Sequence, residues 1–345
     1  MTTASRALSN ADHPIAEETR QAVLDAAREL GYRPNLVARS LRTDRTLTIG
    51  IVVENLLSPF NPLIMQGIQD VLDKHNYLSI TINSYWDHDT EIAAIQTFRA
   101  RQIDGILLVE SCIRSSDEVF RLAGVPHVFV HRLFDSLASG SVVPDDRQGG
   151  RLAVHHLIGL GHRRIGFING PEGWDASANR LRGYRDELTA AAIPFDDQLV
   201  LVGDWEVRSG YDAARTLISR DTRPTAVFAA NDLMALGAIY AAQEAGLDVP
   251  GDLAVVGYDD RDMAGFVRPG ITTVQMPCQE MGRRSAQLLV ELIDGHGDRP
   301  APILIPGKLV VRQSCGGSNE PWDFEPERAS FTRVRRRSCP DSGQA

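Results

Sequence analysis

Arginine side chains crowd one short part of this sequence. Residues 33–45 hold a single acid, Asp44, and four arginines: Arg33, Arg39, Arg42 and Arg45. The whole chain carries a net charge of -9, so the basic excess is local. Guanidinium groups bind phosphate oxygens through charge-assisted hydrogen bonds, and one basic face is enough for an acidic protein to bind nucleic acid. The stretch predicts contact with a nucleic acid; a basic linker between domains is the alternative.

The same stretch has the local signals of a short helix. Pro34 ends any helix before it, because proline lacks the backbone donor and the residue before it is pushed out of the helical region. Asn35 is a favourable N-cap, and apolar residues follow it at Leu36, Val37 and Leu41. A helix this short is marginal alone. We therefore expect it to order against a partner surface.

Residues 34–42 read Pro-Asn-Leu-Val-Ala-Arg-Ser-Leu-Arg. This resembles the hinge helix of the lactose-repressor (LacI/GalR) family of bacterial transcription regulators, which commonly reads P-N-x-x-A-R-S-L-R/K. The resemblance implies that the helix enters the minor groove of operator DNA, where Leu41 wedges between base pairs and bends the duplex. Arg39 and Arg42 would face the DNA backbone.

The first ten residues resemble the recognition helix of the same family, usually T-T-V-S-R-A-L-N, which lies in the major groove. The resemblance implies that Thr2 and Arg6 read base edges, and that Thr3 and Ser5 contact phosphates. Arginine to guanine is the commonest specific contact of this kind.

Residues 17–30 predict a stronger helix, with Ala16 giving no side-chain cap and Gly31 ending it. We expect its buried stripe to be Val23, Leu24, Ala27 and Leu30. The first helix of the family's helix-turn-helix has no counterpart in the sequence. From this we expect poor DNA binding by the chain as written and a true start upstream, the alternative being a sensor-only protein that has lost DNA binding.

From residue 47 onward, apolar strand-like runs alternate with amphipathic helical segments. The predicted strands are Leu47–Val53, Tyr77–Ile82, Ile103–Val109, His127–His131, Arg164–Ile168, Thr225–Ala229 and Leu253–Gly257. The predicted helical segments include Leu63–His75, Gly149–Leu160, Asn231–Ala245 and Gln279–Ile293. Alternation of this kind predicts parallel sheets with helices on both faces.

The fold class is therefore α/β, and the length suits two doubly wound parallel sheets. The resemblance implies a two-lobed, periplasmic-binding-protein-like body preceded by a partial all-α helix-turn-helix headpiece and a hinge helix. We expect the headpiece at 1–34, the hinge helix and linker at 35–46, and an effector-binding and dimerisation domain at 47–315. Within this body, lobe one takes about 47–145 and 277–304, and lobe two about 146–276 and 305–315.

The tail 316–345 is rich in Gly, Ser, Pro, Glu and Arg and has no sustained apolar periodicity. This composition predicts disorder. A cluster of four arginines within 333–337 could contact DNA, but a solvated tail is the expected state.

Loops that follow strands are where parallel α/β sheets bind ligands. The resemblance implies that the effector-binding residues lie in such loops and between the lobes. They are Phe60, Asn61, Asp145, Trp174, Arg180, Trp205, Asn231 and Asp259. Amide, guanidinium and carboxylate groups around aromatic rings suit a sugar, whose hydroxyls they bind and whose C–H faces the rings cover. A nucleobase would also stack there.

Four polar residues of this set also have a purely structural alternative. Asn231 would cap the helix that follows it, Asp259 would satisfy backbone amides, and Arg180 would pair with a nearby acid. Asp145 precedes a helix N-terminus, where a carboxylate is favourable without any ligand.

Other function classes lack their motifs in this sequence. It has no G-x-S-x-G, P-loop or H-E-x-x-H motif, so catalysis has no support. The four cysteines and nine histidines form no metal spacing, so we expect no cofactor, metal or disulfide. An exported solute receptor would need a signal peptide and would have no hinge helix. We therefore expect a cytoplasmic, nucleoid-associated, dimeric repressor that binds palindromic operator DNA and answers a carbohydrate effector, without a membrane partner.

Overall fold

The computed structural model describes residues 7, 16–32, 45–110, 124–131, 140–295 and 301–317. The predicted recognition helix, apart from Ala7, the predicted hinge helix and the tail beyond residue 317 lie outside these residues. None of the described helices is long and apolar enough to cross a membrane.

The first described helix, α1, spans Glu17–Glu29, and Ala16 before it makes no side-chain cap, as predicted. Gly31 follows with a φ of +60°, the left-handed conformation that glycine adopts at low cost. The predicted buried stripe is wrong, because no residue of α1 is buried and Leu30 is 82% exposed. The apolar spacing of a helix indicates which side chains share a face, but not whether that face is covered.

Two six-stranded sheets form the body, which confirms the predicted α/β class. The first has the order β11-β5-β4-β3-β1-β2. Its strands are β1 Thr48–Val53, β2 Leu78–Asn83, β3 Gly105–Val109, β4 His127–Val130, β5 Ser141–Pro144 and β11 Ile303–Ile305. All five of its strand pairings are parallel.

The second sheet has the order β12-β10-β9-β8-β6-β7. Its strands are β6 Ile165–Asn169, β7 Val200–Val202, β8 Ala226–Ala229, β9 Ala254–Asp259, β10 Thr272–Gln275 and β12 Lys308–Val310. The pairings of β6 with β7, β6 with β8 and β8 with β9 are parallel.

Helices connect the strands and cover the sheets. They are α2 Asn61–Leu72, α3 His88–Ala100, α4 Asp146–Gly159, α5 Asp175–Ala190, α6 Val207–Ile218, α7 Asp232–Glu244, α8 Asp262–Phe266 and α9 Cys278–Ile293. Within the described residues, short 3-10 turns occur at Asp73–His75, Asp197–Leu199 and Gln313–Cys315.

Burial on both faces explains why the central strands read as continuous apolar runs. On one face of the first sheet, Ile106 and Leu108 of β3 pack in a core with Ile95 and Phe98 of α3. On the other face, α9 lies so close to β3 that a methyl group on Gly105 would meet the side chain of Leu289. Parallel sheets with helices on both faces have this pattern, whereas the strands of a sheet with one solvent-exposed face alternate between apolar and polar residues.

The second sheet is built in the same way around stacked aromatic rings. The ring of Phe167 in β6 stacks on Phe228 of β8 at 4.8 Å and on Tyr184 of α5 at 5.2 Å. The hydroxyl of Tyr184 donates to the carbonyl of Ile165 at 2.8 Å, so the buried phenol keeps a hydrogen bond. Burial raises the pKa of Tyr184 far above its usual range, so the group stays a donor.

Two compact units divide the chain. The first contains Met1–Gly150, Gly173–Gly183 and Gln275–Lys308, and the second contains Arg151–Glu172, Tyr184–Val274 and Leu309–Ala345. Helix α5 is shared, because its first turns belong to the first unit and the rest to the second.

The end of the basic stretch, at Arg45, and the residues after it are anchored to the first unit. Arg45 donates from Nη1 to Asp294 at 2.7 Å and from Nη2 to the carbonyl of Ile293 at 3.0 Å, at the end of α9. The carboxylate of Asp104, just before β3, accepts from the backbone N–H groups of Thr46 and Leu47 at 2.7 and 3.0 Å. The entry to β1 is therefore held by side chains from two other elements.

Helices α2 and α9 cross at two glycines. A methyl group on Gly67 would collide with the carbonyl oxygen of Gln279, and one on Gly282 would collide with that of Ile64. The two backbones thus approach as closely as only glycine allows.

We predict that Gly67→Ala destabilises the protein by about 1–3 kcal/mol, because the added methyl group must push a backbone carbonyl of α9 aside. Urea unfolding followed by circular dichroism measures this change. Gly159→Ala is the matched control, since no atom lies within 4 Å of its added methyl group. Equal stability of the two variants would contradict the close crossing.

Candidate functional site

The carboxyl ends of the strands gather the candidate side chains in each unit. In the first unit, Phe60 stands at the N-terminus of α2, and its ring meets the ring of His131 edge-on at 5.2 Å. His131 follows β4 directly, and its Nδ1 lies 2.8 Å from Oε1 of Glu110, which follows β3. Both His131 and Glu110 have positive φ, at 72° and 55°. Non-glycine residues rarely adopt this conformation, and it clusters at functional sites.

Asn61 is buried beside this group. Its Nδ2 donates to the carbonyl of Asn55 at 2.6 Å, which ties the side chain into the loop after β1. Its Oδ1 is buried without a hydrogen-bond partner among the described residues. An unsatisfied buried acceptor is costly, so this oxygen is suited to accept a hydrogen bond from a ligand hydroxyl.

Arg180 forms a buried ion pair within the first unit. Its Nε and Nη2 each lie 2.8 Å from Oδ1 of Asp146, and Arg180 is only 3% exposed. Helix α5 begins at Asp175, so Arg180 is its sixth residue and lies inside the helix. Breaking a buried pair typically costs about 3–5 kcal/mol, because one charge is left without compensation.

Asp145 has a different role from its neighbour. Its Oδ1 accepts from the backbone N–H of Gln148 at 2.9 Å, the contact of a helix cap. The structural explanations for Arg180 and Asp145, an acid partner and a helix cap, are thus both present.

Two tryptophans meet in the first unit. Trp174 lies just before α5, Trp86 lies after β2, and their ring centroids are 6.2 Å apart at an angle of 58°. Sequence reasoning selected Trp174 and missed Trp86. The available signal was its place in the loop after the predicted strand Tyr77–Ile82, and the same rule would have found Glu110 after Ile103–Val109 but not His131, which ends the predicted strand His127–His131.

In the second unit, Asn231 and Trp205 are brought together. The Nδ2 of Asn231 donates to the carbonyl of Trp205 at 2.8 Å, while its Oδ1 accepts from the N–H of Met234 at 2.8 Å. Asn231 therefore caps α7 and also fixes the loop that carries Trp205. Trp205 has a φ of 74°, again the left-handed region.

Asp259 ends β9 and is nearly buried, at 8% exposed. It and the following Asp260 both have positive φ, at 107° and 56°. Asp260 pairs with Nη2 of Arg312 at 2.7 Å, which holds this strained turn. A strained turn held by an ion pair fixes the direction of the Asp259 backbone.

Asp232, the first residue of α7, is fully buried beneath this turn. Its Oδ2 accepts from the N–H of Arg261 at 2.8 Å. Burial is the main cause that raises the pKa of Asp232, to about 7, with the nearby Asp260 adding to it.

The predicted DNA-binding residues lie outside the described residues. They are Thr2, Thr3, Ser5, Arg6, Arg39, Leu41 and Arg42.

We predict that Asp232→Asn makes the protein less sensitive to alkaline pH. The Asp232 carboxyl binds its proton more tightly in the folded protein than in the unfolded chain, where its pKa is near 3.8. The stability that this proton contributes is therefore complete below pH 3.8. It is lost as the pH rises through about 7. One pKa unit corresponds to about 1.4 kcal/mol, so the native chain should lose more than about 1 kcal/mol by pH 8.5 relative to the variant.

Urea unfolding between pH 5 and pH 8.5 tests this, with the exposed Asp221→Asn as the matched control. Parallel stability curves for the native chain and Asp232→Asn would refute it.

Comparisons with known proteins agree on one family. Residues 1–35 match the model "Bacterial regulatory proteins, lacI family", and residues 154–315 match "Periplasmic binding protein-like domain". The transcriptional regulator CelR of Thermobifida fusca is 38% identical over 325 residues, which cover 90% of this chain and 94% of CelR.

Solved structures give the same picture. A CelR–cellobiose complex aligns with a TM-score of 0.69 and 35% identity, covering 90% of this chain and 94% of that one. A lac repressor dimer bound to operator and the anti-inducer ONPF aligns with a TM-score of 0.75 and 29% identity, covering 91% and 94%. These relatives are transcription regulators and not enzymes. The chain belongs to the lacI family of bacterial regulatory proteins.

Proposed function

We propose that this transcription regulator is a repressor whose affinity for operator DNA is set by a carbohydrate or sugar derivative. The observation that carries the proposal is the group formed by Phe60, His131 and Glu110, next to the unsatisfied oxygen of Asn61. An aromatic ring beside polar groups that can bind hydroxyls is the chemistry that sugars require. A relative of this chain is known in complex with cellobiose.

We propose that the effector is bound by the eight residues selected from the sequence, together with His131 and Glu110. In the first unit they are Phe60, Asn61, Asp145, Trp174 and Arg180, and in the second they are Trp205, Asn231 and Asp259. The loops that carry some of these residues are held by other contacts, which supports their assignment to a binding site, because ligand pockets are usually largely formed before the ligand binds. The Asn231 cap and the Asp260–Arg312 pair hold two of these loops.

For DNA, we propose that Thr2 and Arg6 read base edges in the major groove and that Thr3 and Ser5 contact phosphates. Leu41 is the proposed minor-groove wedge, flanked by Arg39 and Arg42 on the backbone. The match of residues 1–35 to the lacI-family model supports the first group. The agreement of residues 34–42 with the hinge pattern supports the second.

A homodimer is proposed as the form that binds a palindromic operator, since protein two-fold symmetry mirrors operator symmetry. Helix α2 and the edge strand β2 are suited to form the dimer interface, because their apolar side chains Leu63, Leu78 and Ile80 are 47%, 64% and 37% exposed. We place the working protein in the cytoplasm, at the nucleoid, where its operator lies.

We predict that Asp259→Ala abolishes effector binding, because it removes a carboxylate that can accept two hydroxyl hydrogen bonds. Isothermal calorimetry with a panel of sugars and nucleobases should give heat with the native chain and none with the variant. Bound ligand at 100 times its dissociation constant should also stabilise the native chain by about 2.7 kcal/mol.

The exposed Asp221→Ala is the control for this experiment. Binding of nucleobases alone would reject a carbohydrate effector, and undiminished binding by Asp259→Ala would remove that residue from the site.

We predict that Leu41→Ala weakens operator binding while binding to unrelated DNA stays the same, because the wedge acts only where a base step opens. Arg42→Ala should instead weaken both and reduce the slope of log affinity against log salt by about one. Fluorescence anisotropy with a palindrome selected from random DNA measures both effects.

Arg101→Ala, at an exposed position in the body, is the control for lost charge. Equal weakening of operator and unrelated DNA by Leu41→Ala would contradict the wedge.

A further inference from the structure

Three consecutive residues, Arg45, Thr46 and Leu47, lead from the basic stretch into β1, and carboxylates of two other segments hold them. Oδ1 of Asp104 accepts from the N–H and the hydroxyl of Thr46 at 2.7 and 2.8 Å. Oδ2 of Asp104 accepts from the N–H of Leu47 at 3.0 Å. Asp294, directly after α9, pairs with Arg45 at 2.7 Å. We call these five residues the junction clamp.

Leu47 is held in a conformation that its own side chain disfavours. Its φ is 50°, in the left-handed region that glycine and asparagine enter readily and other residues rarely adopt. Its N–H donates to Asp104, and its carbonyl accepts from the N–H of Leu78 in β2 at 2.9 Å. A conformation of this kind persists only where neighbouring structure determines it. The direction of the chain at residue 47 is therefore set by the first unit and not by local preference.

Strand β1 has other contacts that hold it in the sheet. Its register with β2 begins at Thr48, and Ile49, Ile51 and Val53 within it are fully buried. The junction clamp acts before this register, on residues that are only partly buried. What the clamp adds is a fixed starting point for the segment that carries the proposed DNA contacts.

The proposed DNA contacts are close to the clamp along the chain. Leu41 precedes Arg45 by four residues, and Arg42 precedes it by three. Four residues extend at most about 14 Å, even when fully extended. Leu41 is therefore confined to within about 14 Å of a point that is fixed on the first unit.

Duplex geometry makes a fixed starting point selective. One extra base pair between two half-sites moves them apart by about 3.4 Å and turns one against the other by about 35°. Two copies of the chain whose DNA-binding segments start from fixed points lose contacts when the half-sites move in this way. Copies with loose starting points follow the half-sites and keep their contacts.

We propose that the junction clamp determines which spacing between operator half-sites the regulator accepts, with Asp104 as the positioning residue at its centre. This inference rests on the proposed homodimer and palindromic operator, and it adds a source of specificity besides the base contacts and the wedge. Asp104 acts through the backbone of Thr46 and Leu47.

Fluorescence anisotropy with the full chain tests the proposal. The probes are the palindrome that the native chain selects from random DNA and versions with one base pair added or removed at its centre. The native chain should bind the altered versions at least about tenfold more weakly, a loss that one base contact alone can cause. Asp104→Asn should bring these affinities to within about threefold of each other, because its amide sets a donor against one of the two backbone N–H groups.

Two further variants accompany this measurement. Asp294→Asn removes the charge that holds Arg45 and should reduce the spacing discrimination in the same direction, by less than Asp104→Asn. Asp89→Asn makes the same change of charge at an exposed position of the first unit and is the matched control.

Two substitutions of Leu47 separate its backbone from its side chain. Asparagine enters the left-handed region readily, whereas β-branched valine does so only at high cost. Leu47→Asn should therefore retain most of the spacing discrimination, and Leu47→Val should lose it. Thermal unfolding shows which variants are folded, and if Leu47→Val is not, Asp104→Asn and Asp294→Asn decide the matter.

The possible failures are distinguishable. Unchanged discrimination in Asp104→Asn and Asp294→Asn, or an equal loss in Asp89→Asn, overturns the clamp and leaves dimeric operator binding standing. Uniform weakening on all spacings by Asp104→Asn marks a structural role and also overturns it. An equal loss in Leu47→Asn and Leu47→Val overturns a fixed chain direction as the cause. If the native chain selects no palindrome, the proposed dimeric binding fails and the clamp fails with it.

Discussion

Parallel strand pairing is the constraint from which the rest of this structure follows. Strands that run the same way must be joined by crossovers, so helices cover both faces and every strand ends at the same edge. In the first sheet this brings the residues after β1, β3 and β4 together as Phe60, Glu110 and His131. The candidate site is thus a product of topology, because these residues are far apart in the sequence.

The contacts at these edges fix backbones that would otherwise not keep their conformation. His131, Trp205 and Asp259 all have positive φ. Each such residue costs of order 1–3 kcal/mol and persists only where neighbouring structure determines it. Helix caps and ion pairs such as Asp260–Arg312 hold these backbones in place, so the loops at the carboxyl end of each sheet have their conformation before any ligand binds.

Sequence reasoning found the long, strongly apolar elements and missed the short ones. All seven predicted strands are present to within about two residues, because runs such as Ile49–Val53 are buried on both faces. Strands β7, β11 and β12 have three residues each and an outer position, so no periodicity can reveal them. The four-residue strands β5 and β10 were missed as well. Helices α3, α5, α6 and α8 were not among the helical segments named from the sequence, although Asp87 caps α3.

For the candidate site, sequence patterns gave the positions but not the partners. Asp145 and Asp146 are adjacent acids after the same strand, yet one caps α4 and the other pairs with Arg180. Which acid meets an arginine 34 residues away depends on tertiary packing. The contact between Trp86 and Trp174 also depends on tertiary packing, because the two residues lie in different segments of the chain.

The anchor at Arg45 has a mechanical consequence. Arg45 is the last arginine of the basic stretch, and its guanidinium binds the C-terminal end of α9. That helix in turn crosses α2 at glycine contacts, where backbone meets backbone with no side chain to absorb a shift. A rotation of α2 and α9 as a pair would therefore displace Arg45 through its contacts with Asp294 and Ile293.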